Sequence, residues 1–158
     1  MALIIAHRGL TDGPDELRQN HPDQVRAALD LGFDAEIDVW LVNGEYYLGH
    51  DSPIHKVSWE WSTQSNLWIH CKNLAAFFDM KSRTMIHNFF WHDSDLIVLT
   101  SRGHVWTYFG RPETKDPASI CVMPEVTYDW AEIQRMVSNN EWLGYCTDYP
   151  KKLDECLG

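Results

Sequence analysis

The chain has 158 residues, 44% of them hydrophobic, and it carries 23 acidic residues against 13 basic ones for a formal charge of -10. This length suits one domain spanning residues 1–158, with a single core that needs no metal or disulfide to hold it. The aromatic richness, with eight Trp, argues against disorder, and the acidic balance excludes nucleic acid as a natural partner. No apolar run approaches a membrane span, so no transmembrane segment is expected. "MALIIAHRGL" is interrupted too early by His7 and Arg8 to read as a signal peptide, and the expected location is cytoplasmic. Cys71, Cys121, Cys146 and Cys156 are scattered without CxxC spacing and read as buried thiols.

In chain order, "LIIAH" near residue 3 is the first strand, and "HRG" after it places an imidazole, a guanidinium and a sharp backbone turn at its end. A helical pattern over 21–32 follows, with Val25, Ala28 and Leu29 on one side. The second strand, "AEIDVW" near 35, holds Glu36 and Asp38 two apart, so both carboxylates project from one face and attract a cation. Asn43-Gly44 predicts a type I' hairpin in which 42 faces 45, 40 faces 47 and 38 faces 49. The return strand brings His50 beside the carboxylates, provided Gly49 bends it.

The third strand, "LWIHCK" near 67, puts His70 and Lys72 on one face. Short helical segments are expected from 73 and from 128. Further strand-length runs lie near 86, 96, 105, 120 and 142, making eight in all. Alternating strands and helices give an α/β fold, a (β/α)8 TIM-type barrel with several outer helices shortened or missing, because such barrels usually need about 250 residues. The absent cover is expected after strands two, four, five and six, leaving an apolar flank for a second subunit, a homodimer, to cover. Active sites of such barrels lie at the carboxyl ends of the strands, where these polar residues fall. Trp91, Trp106 and Tyr108 read as core more readily than as a sugar or choline platform, and His87, His92 and His104 as structural or surface residues.

"HRG", Asn20, "EIDV", "GHD", "CKN" and "GYCTDYPKKL", in that order, resemble the glycerophosphodiester phosphodiesterase family across nearly the whole chain. The resemblance implies a phosphodiesterase barrel of the phosphatidylinositol phospholipase C-like type, acting in lipid metabolism as a phosphoric diester hydrolase on a small-molecule phosphodiester. It implies catalytic histidines at His7 and His50, phosphate contacts from Arg8 and Lys72, and metal ligands at Glu36 and Asp38. The family's Glu-x-Lys pattern on strand three stands here as His70-x-Lys72, which makes His70 the third candidate ligand and Glu125 a candidate replacement for the absent carboxylate. One divalent ion is implied, Mg or Ca by resemblance, with Mn or Zn suited to an imidazole ligand. Two other readings stay open: a lyase of the same superfamily releasing a cyclic phosphate, and a non-catalytic barrel that only binds a phosphate ligand.

Overall fold

The computed structural model describes residues 2–62, 64–83 and 88–157. Strand β1 (Leu3–Ala6) runs into a 3-10 turn at His7–Gly9 and then α1 (Pro22–Asp30). Helix α1 starts at Pro22, with His21 accepting a hydrogen bond from Asp23 N as its cap. Strand β2 (Asp34–Val42) outlasts its barrel neighbours and doubles back through β3 (Glu45–Leu48) to β4 (His55–Val57) and a short helix α2 (Trp59–Ser62). Then come β5 (Leu67–Cys71), α3 (Leu74–Ser82), β6 (Asn88–Phe90), β7 (Ile97–Leu99), β8 (Val105–Tyr108), β9 (Ser119–Val122), α4 (Trp130–Ser138), β10 (Gly144–Thr147) and α5 (Pro150–Glu155). Asn73 caps α3 and a capping box of Asp129 and Glu132 starts α4. The closing helix α5 is absent from the sequence reading, and His87 lies outside the described residues.

Strands β6, β5, β2, β1, β10, β9 and β8 pair in that order, all parallel, and the sheet curls. The strict alternation of the strands sorts their side chains into two sets. Ile5, Trp68, Phe90, Trp106, Ile120, Val122 and Cys146 fill the inside of the curl. Ala35, Ile37, Val39, Leu67, Ile69 and Cys71 face outward against Val25 and Ala28 of α1 and Ala76 and Met80 of α3. Cys121 and Tyr145 face outward against Ile133 and Met136 of α4 and Leu153 of α5.

The expected barrel of eight parallel strands is realised in part. Strand β7 is antiparallel to β8, with Ile97 opposite Thr107 and Leu99 opposite Val105. Only Thr100 to His104 separates the two strands, closed by hydrogen bonds from Thr100 N to His104 O and Gly103 N to Thr100 O. A parallel crossover needs a dozen or more residues, so so short a link enforces the hairpin. Among the described residues β6 and β7 form no ladder. They are tied instead by Ser101, whose N–H donates to Phe89 O and whose hydroxyl accepts from Phe89 N. The α-helical cover lies after β1, β5, β9 and β10, with the short α2 after β4, leaving the flank beyond β6, β7 and β8 bare. Leu96, Ile97 and Leu99 are accordingly exposed there.

The hairpin register is the expected one, Val42 opposite Glu45 and Trp40 opposite Tyr47, with Gly49 N donating to Asp38 O. Asn43 and Gly44 both take positive φ, as a type I' turn requires. Gly49 has φ +153°, and a Cβ there would collide with the Ser52 carbonyl oxygen, so the chain can leave the strand at this point only as glycine. Gly49→Ala is expected to cost about 1–3 kcal/mol of stability, read as a lowered Tm in thermal unfolding; an unchanged Tm would show that the bend tolerates a side chain.

Candidate functional site

Inward positions follow one another two residues apart, and beyond the apolar inner core each strand presents its next inward residue at the carboxyl end of the sheet. Thus Ile5 leads to His7, Glu36 to Asp38, Trp68 to His70, Phe90 to His92, Trp106 to Tyr108 and Cys146 to Asp148. This periodicity brings most of the expected site together.

Asp38 is its centre. The side chain is 1% exposed and meets four polar groups. Oδ2 accepts from Asn20 Nδ2 at 2.8 Å and lies 3.4 Å from Arg8 Nε. Oδ1 lies 3.0 Å from His70 Nδ1 and 3.6 Å from Lys72 Nζ. Asn20 also accepts from Asp38 N at 2.9 Å, so a single amide clamps both the side chain and the backbone of the aspartate. Burial pushes the Asp38 carboxyl up, but His70, Lys72 and Arg8 outweigh it and hold it well below the usual carboxylate range.

Arg8 reaches this point through a left-handed backbone conformation, φ 51° and ψ 27°, an uncommon state for a residue with a side chain. The turn aims Arg8 N at Glu36 Oε2, 3.0 Å away, and its Nη1 at Gln19 Oε1. A Cβ on the following Gly9, at φ +74°, would collide with Val25 of α1, so the turn needs glycine where it meets the helix. Glu36 is buried, and its pKa is raised by burial and by the neighbouring charge of Asp38. Two adjacent buried carboxylates of this kind call for positive charge.

Glu36, Asp38 and His70 each offer one ligand atom, and those atoms lie within 4.8 Å of one another. Asp38 Oδ1 is met by His70 and Lys72, whereas His70 Nε2 is buried without a hydrogen-bond partner. Two carboxylates and an imidazole with such an orphaned nitrogen fit a divalent cation. The His70 ring lies parallel to those of Phe90, at a 5.0 Å centroid distance, and His92, at 4.5 Å, which are themselves 6.2 Å apart. His92, read from the sequence as structural or surface, thus lines the site. Burial, with the charges of His70 and Lys72, pushes its pKa down to about 4.

His7 Nδ1 is 2.7 Å from Asp148 Oδ1, both side chains being over nine-tenths buried. Asp148 is a site residue missed by the sequence reading, although "TDYP" was among the motifs, and its inward parity after Cys146 was the available signal. Burial opposes a charge on His7, but the Asp148 hydrogen bond and the Glu36 charge prevail, and the net pKa is raised. His50 sits at the mouth, its Nδ1 2.7 Å from Asp51 Oδ1. It follows the bend at Gly49, and its electrostatic neighbours include Asp38, Arg8 and Lys72. Partial burial lowers its pKa, with Arg8 and Lys72 acting in the same direction. A cavity of about 490 Å3 opens beside it, lined by Glu16, Leu17, Gln19, Asp51 and Ile54.

Glu125 is placed apart from the cation cluster. Its Oε1 accepts from Thr147 Oγ1 at 2.8 Å and from Asp148 N at 3.0 Å, so it braces the segment that carries Asp148. Trp106 is core, Trp91 is half-exposed, and His104 is bonded to Asn88 away from the cluster. Cys71, Cys121 and Cys146 are buried free thiols, and Cys156, also free, is half-buried.

A solved structure with a similar fold is a glycerophosphodiester phosphodiesterase from Parabacteroides distasonis ATCC 8503, with a TM-score of 0.57 and 12% identity over 99% of this chain and 96% of that one. No family model and no curated protein matches the sequence. The resemblance seen in the motifs therefore holds at the level of the fold. Among the described residues no helix is long and apolar enough to cross a membrane.

The His7–Asp148 pair yields a signed prediction. A histidine whose folded pKa exceeds its unfolded value of about 6.5 adds stability that is fully present below that value and is lost as pH rises through the folded pKa. Asp148→Asn is expected to lower the His7 pKa in an NMR titration and to flatten this part of the Tm-versus-pH curve; an unmoved His7 titration would contradict the pairing.

Proposed function

We propose that this chain, with the fold of a glycerophosphodiester phosphodiesterase, is a metal-dependent phosphodiesterase that cleaves a glycerophosphodiester or a related small phosphodiester by general acid and base catalysis. The observation that carries the reading is the convergence of Glu36, Asp38 and His70 within 4.8 Å of one another at the strand ends that also bear the His7–Asp148 pair. A solvated structural cluster does not need an oriented histidine beside two buried carboxylates.

Glu36, Asp38 and His70 would hold the ion, and the imidazole favours Mn or Zn over Mg or Ca. Bound there, a divalent ion supplies Lewis-acid charge for the non-bridging phosphoryl oxygens. Arg8 and Lys72, both reaching Asp38 from the rim, add positive charge for the same oxygens. A water or a neighbouring substrate hydroxyl attacks phosphorus and gives its proton to one histidine. The bond from phosphorus to the leaving alcohol breaks, and that oxygen takes a proton from the other. With Nδ1 committed to Asp148, His7 exchanges its proton at Nε2. The pKa of His7 is raised and that of His50 lowered, a separation in the direction that an acid and a base working together need.

His7→Ala and His50→Ala are each expected to lower kcat by about 100-fold or more on glycerophosphodiesters, with the fold retained by circular dichroism. A chelator is expected to abolish turnover and Mn or Zn to restore it better than Mg. The kcat/KM profile is expected to be bell-shaped, one limb from each histidine. Full activity in both variants would contradict the assignment, and tight phosphate binding without turnover in the wild type would favour the non-catalytic barrel.

A further inference from the structure

Strand β10 ends one residue before the aspartate that holds His7, and the main chain there has outrun its neighbour. The register of β9 against β10 closes with Val122 opposite Cys146. Two residues further on, the Asp148 amide is met by a side chain and donates to Glu125 Oε1 at 3.0 Å. The same oxygen accepts from Thr147 Oγ1 at 2.8 Å, and that hydroxyl in turn accepts from Tyr149 N at 3.1 Å. The turn over residues 147–149 thus hangs on one carboxylate oxygen, the stronger kind of acceptor.

Glu125 reaches this point because β9 breaks off into a left-handed residue. Met123 takes φ 52° and ψ 50°, an uncommon state for a residue with a side chain, while its N–H donates to Cys146 O at 2.7 Å. A 3-10 turn over Pro124–Val126 follows, so the kink keeps the chain against β10 and delivers the Glu125 side chain to its end. The second oxygen of Glu125, Oε2, is buried with no hydrogen-bond partner. A carboxylate left half-satisfied in this way costs the fold free energy, and stability alone does not account for it.

The turn that Glu125 holds carries the Asp148 carboxylate, whose Oδ1 lies 2.7 Å from His7 Nδ1. From the other side Gly13 N donates to Asp148 O at 2.8 Å. With its amide and its carbonyl both tied, the root of the Asp148 side chain is fixed. The end of β1 is held by a similar device, Arg8 N donating to Glu36 Oε2 at 3.0 Å. There the carboxylate belongs to the candidate cation cluster, whereas Glu125 stands outside it.

We propose that Glu125 is a positioning residue for His7: by holding the Asp148 amide and the Thr147 hydroxyl, it sets the Asp148 carboxylate on His7 Nδ1 and so orients the imidazole whose Nε2 exchanges the proton. The use of that proton rests on the phosphodiesterase reading, while the orientation of the ring does not.

Nitrogen–proton NMR of the zinc-loaded protein reads this geometry through the downfield Nδ1 proton of His7, assigned by its absence from His7→Ala. Glu125→Gln keeps an oxygen at the same reach and is expected to retain that resonance. Glu125→Asp keeps the charge but falls one methylene short, and it is expected to lose the resonance, with kcat on glycerophosphocholine lowered about tenfold or more and KM little changed. Loss in Glu125→Gln with retention in Glu125→Asp overturns the assignment, because charge and not reach then governs His7. An unmoved resonance in both variants also overturns it and leaves Glu125 a brace of the fold alone. If Glu125→Asp does not fold by circular dichroism, Thr147→Val removes the hydroxyl relay and is expected to broaden the same resonance; an unbroadened one overturns the role. A wild type that turns over no diester, with the resonance lost in Glu125→Asp, contradicts the phosphodiesterase reading and supports the positioning. Normal turnover with an unmoved resonance does the reverse.

Discussion

A buried carboxylate with almost no solvent cannot remain charged without several partners, and Asp38 collects them from three separate parts of the chain. Asn20 comes from the segment before α1, Arg8 from the turn after β1, and His70 and Lys72 from β5 and the residue after it. The desolvation cost of an unpaired ion in such a place is several kcal/mol, so these contacts are conditions on the fold rather than additions to it. They fix the left-handed turn at Arg8, the register of β2 against β5 and the orientation of Glu36 beside it. The same arrangement concentrates positive charge within a protein of formal charge -10, where an anionic substrate would otherwise be repelled.

The reduced barrel serves this centre economically. Strand β2 runs beyond its parallel partners, and its hairpin returns His50 to the mouth without a helix in between. On the opposite side the β7–β8 hairpin replaces a parallel crossover, leaving Phe90 and His92 as the inner wall and Phe77, Phe89 and Leu99 along an apolar groove on the outer one.

Much of this was legible in the chain. Glu36 and Asp38 at a spacing of two, the Asn-Gly turn, and the polar ends of runs that are otherwise apolar locate the site because strand periodicity is strict. The requirement for a bend at Gly49 could be read as well, since alternation alone would have turned His50 away. Other features depend on contacts distant in sequence. Asp148 lies 141 residues from His7, and its inward parity gains meaning only when β10 is known to lie beside β1. His92 looked peripheral because the two residues before it are aromatic and conceal the alternation, and it becomes part of the site only by stacking on His70. The direction of β7 was available from the length of its connection to β8, but the pattern of eight apolar runs suggested a regular barrel more strongly than that single loop opposed it. Glu125, likewise, spends one oxygen on Thr147 and Asp148 and does not join Glu36, Asp38 and His70.

Phosphorus NMR of the purified protein with glycerophosphocholine and lysophosphatidylcholine, each with Mn or Zn and again with excess chelator, tests most directly whether the Asp38-centred site is catalytic. Metal-dependent appearance of a phosphomonoester, or of a cyclic phosphate if a substrate hydroxyl attacks, is the predicted result. An unchanged diester resonance with every metal would contradict it and would leave the cluster as a site that binds phosphate without cleaving it.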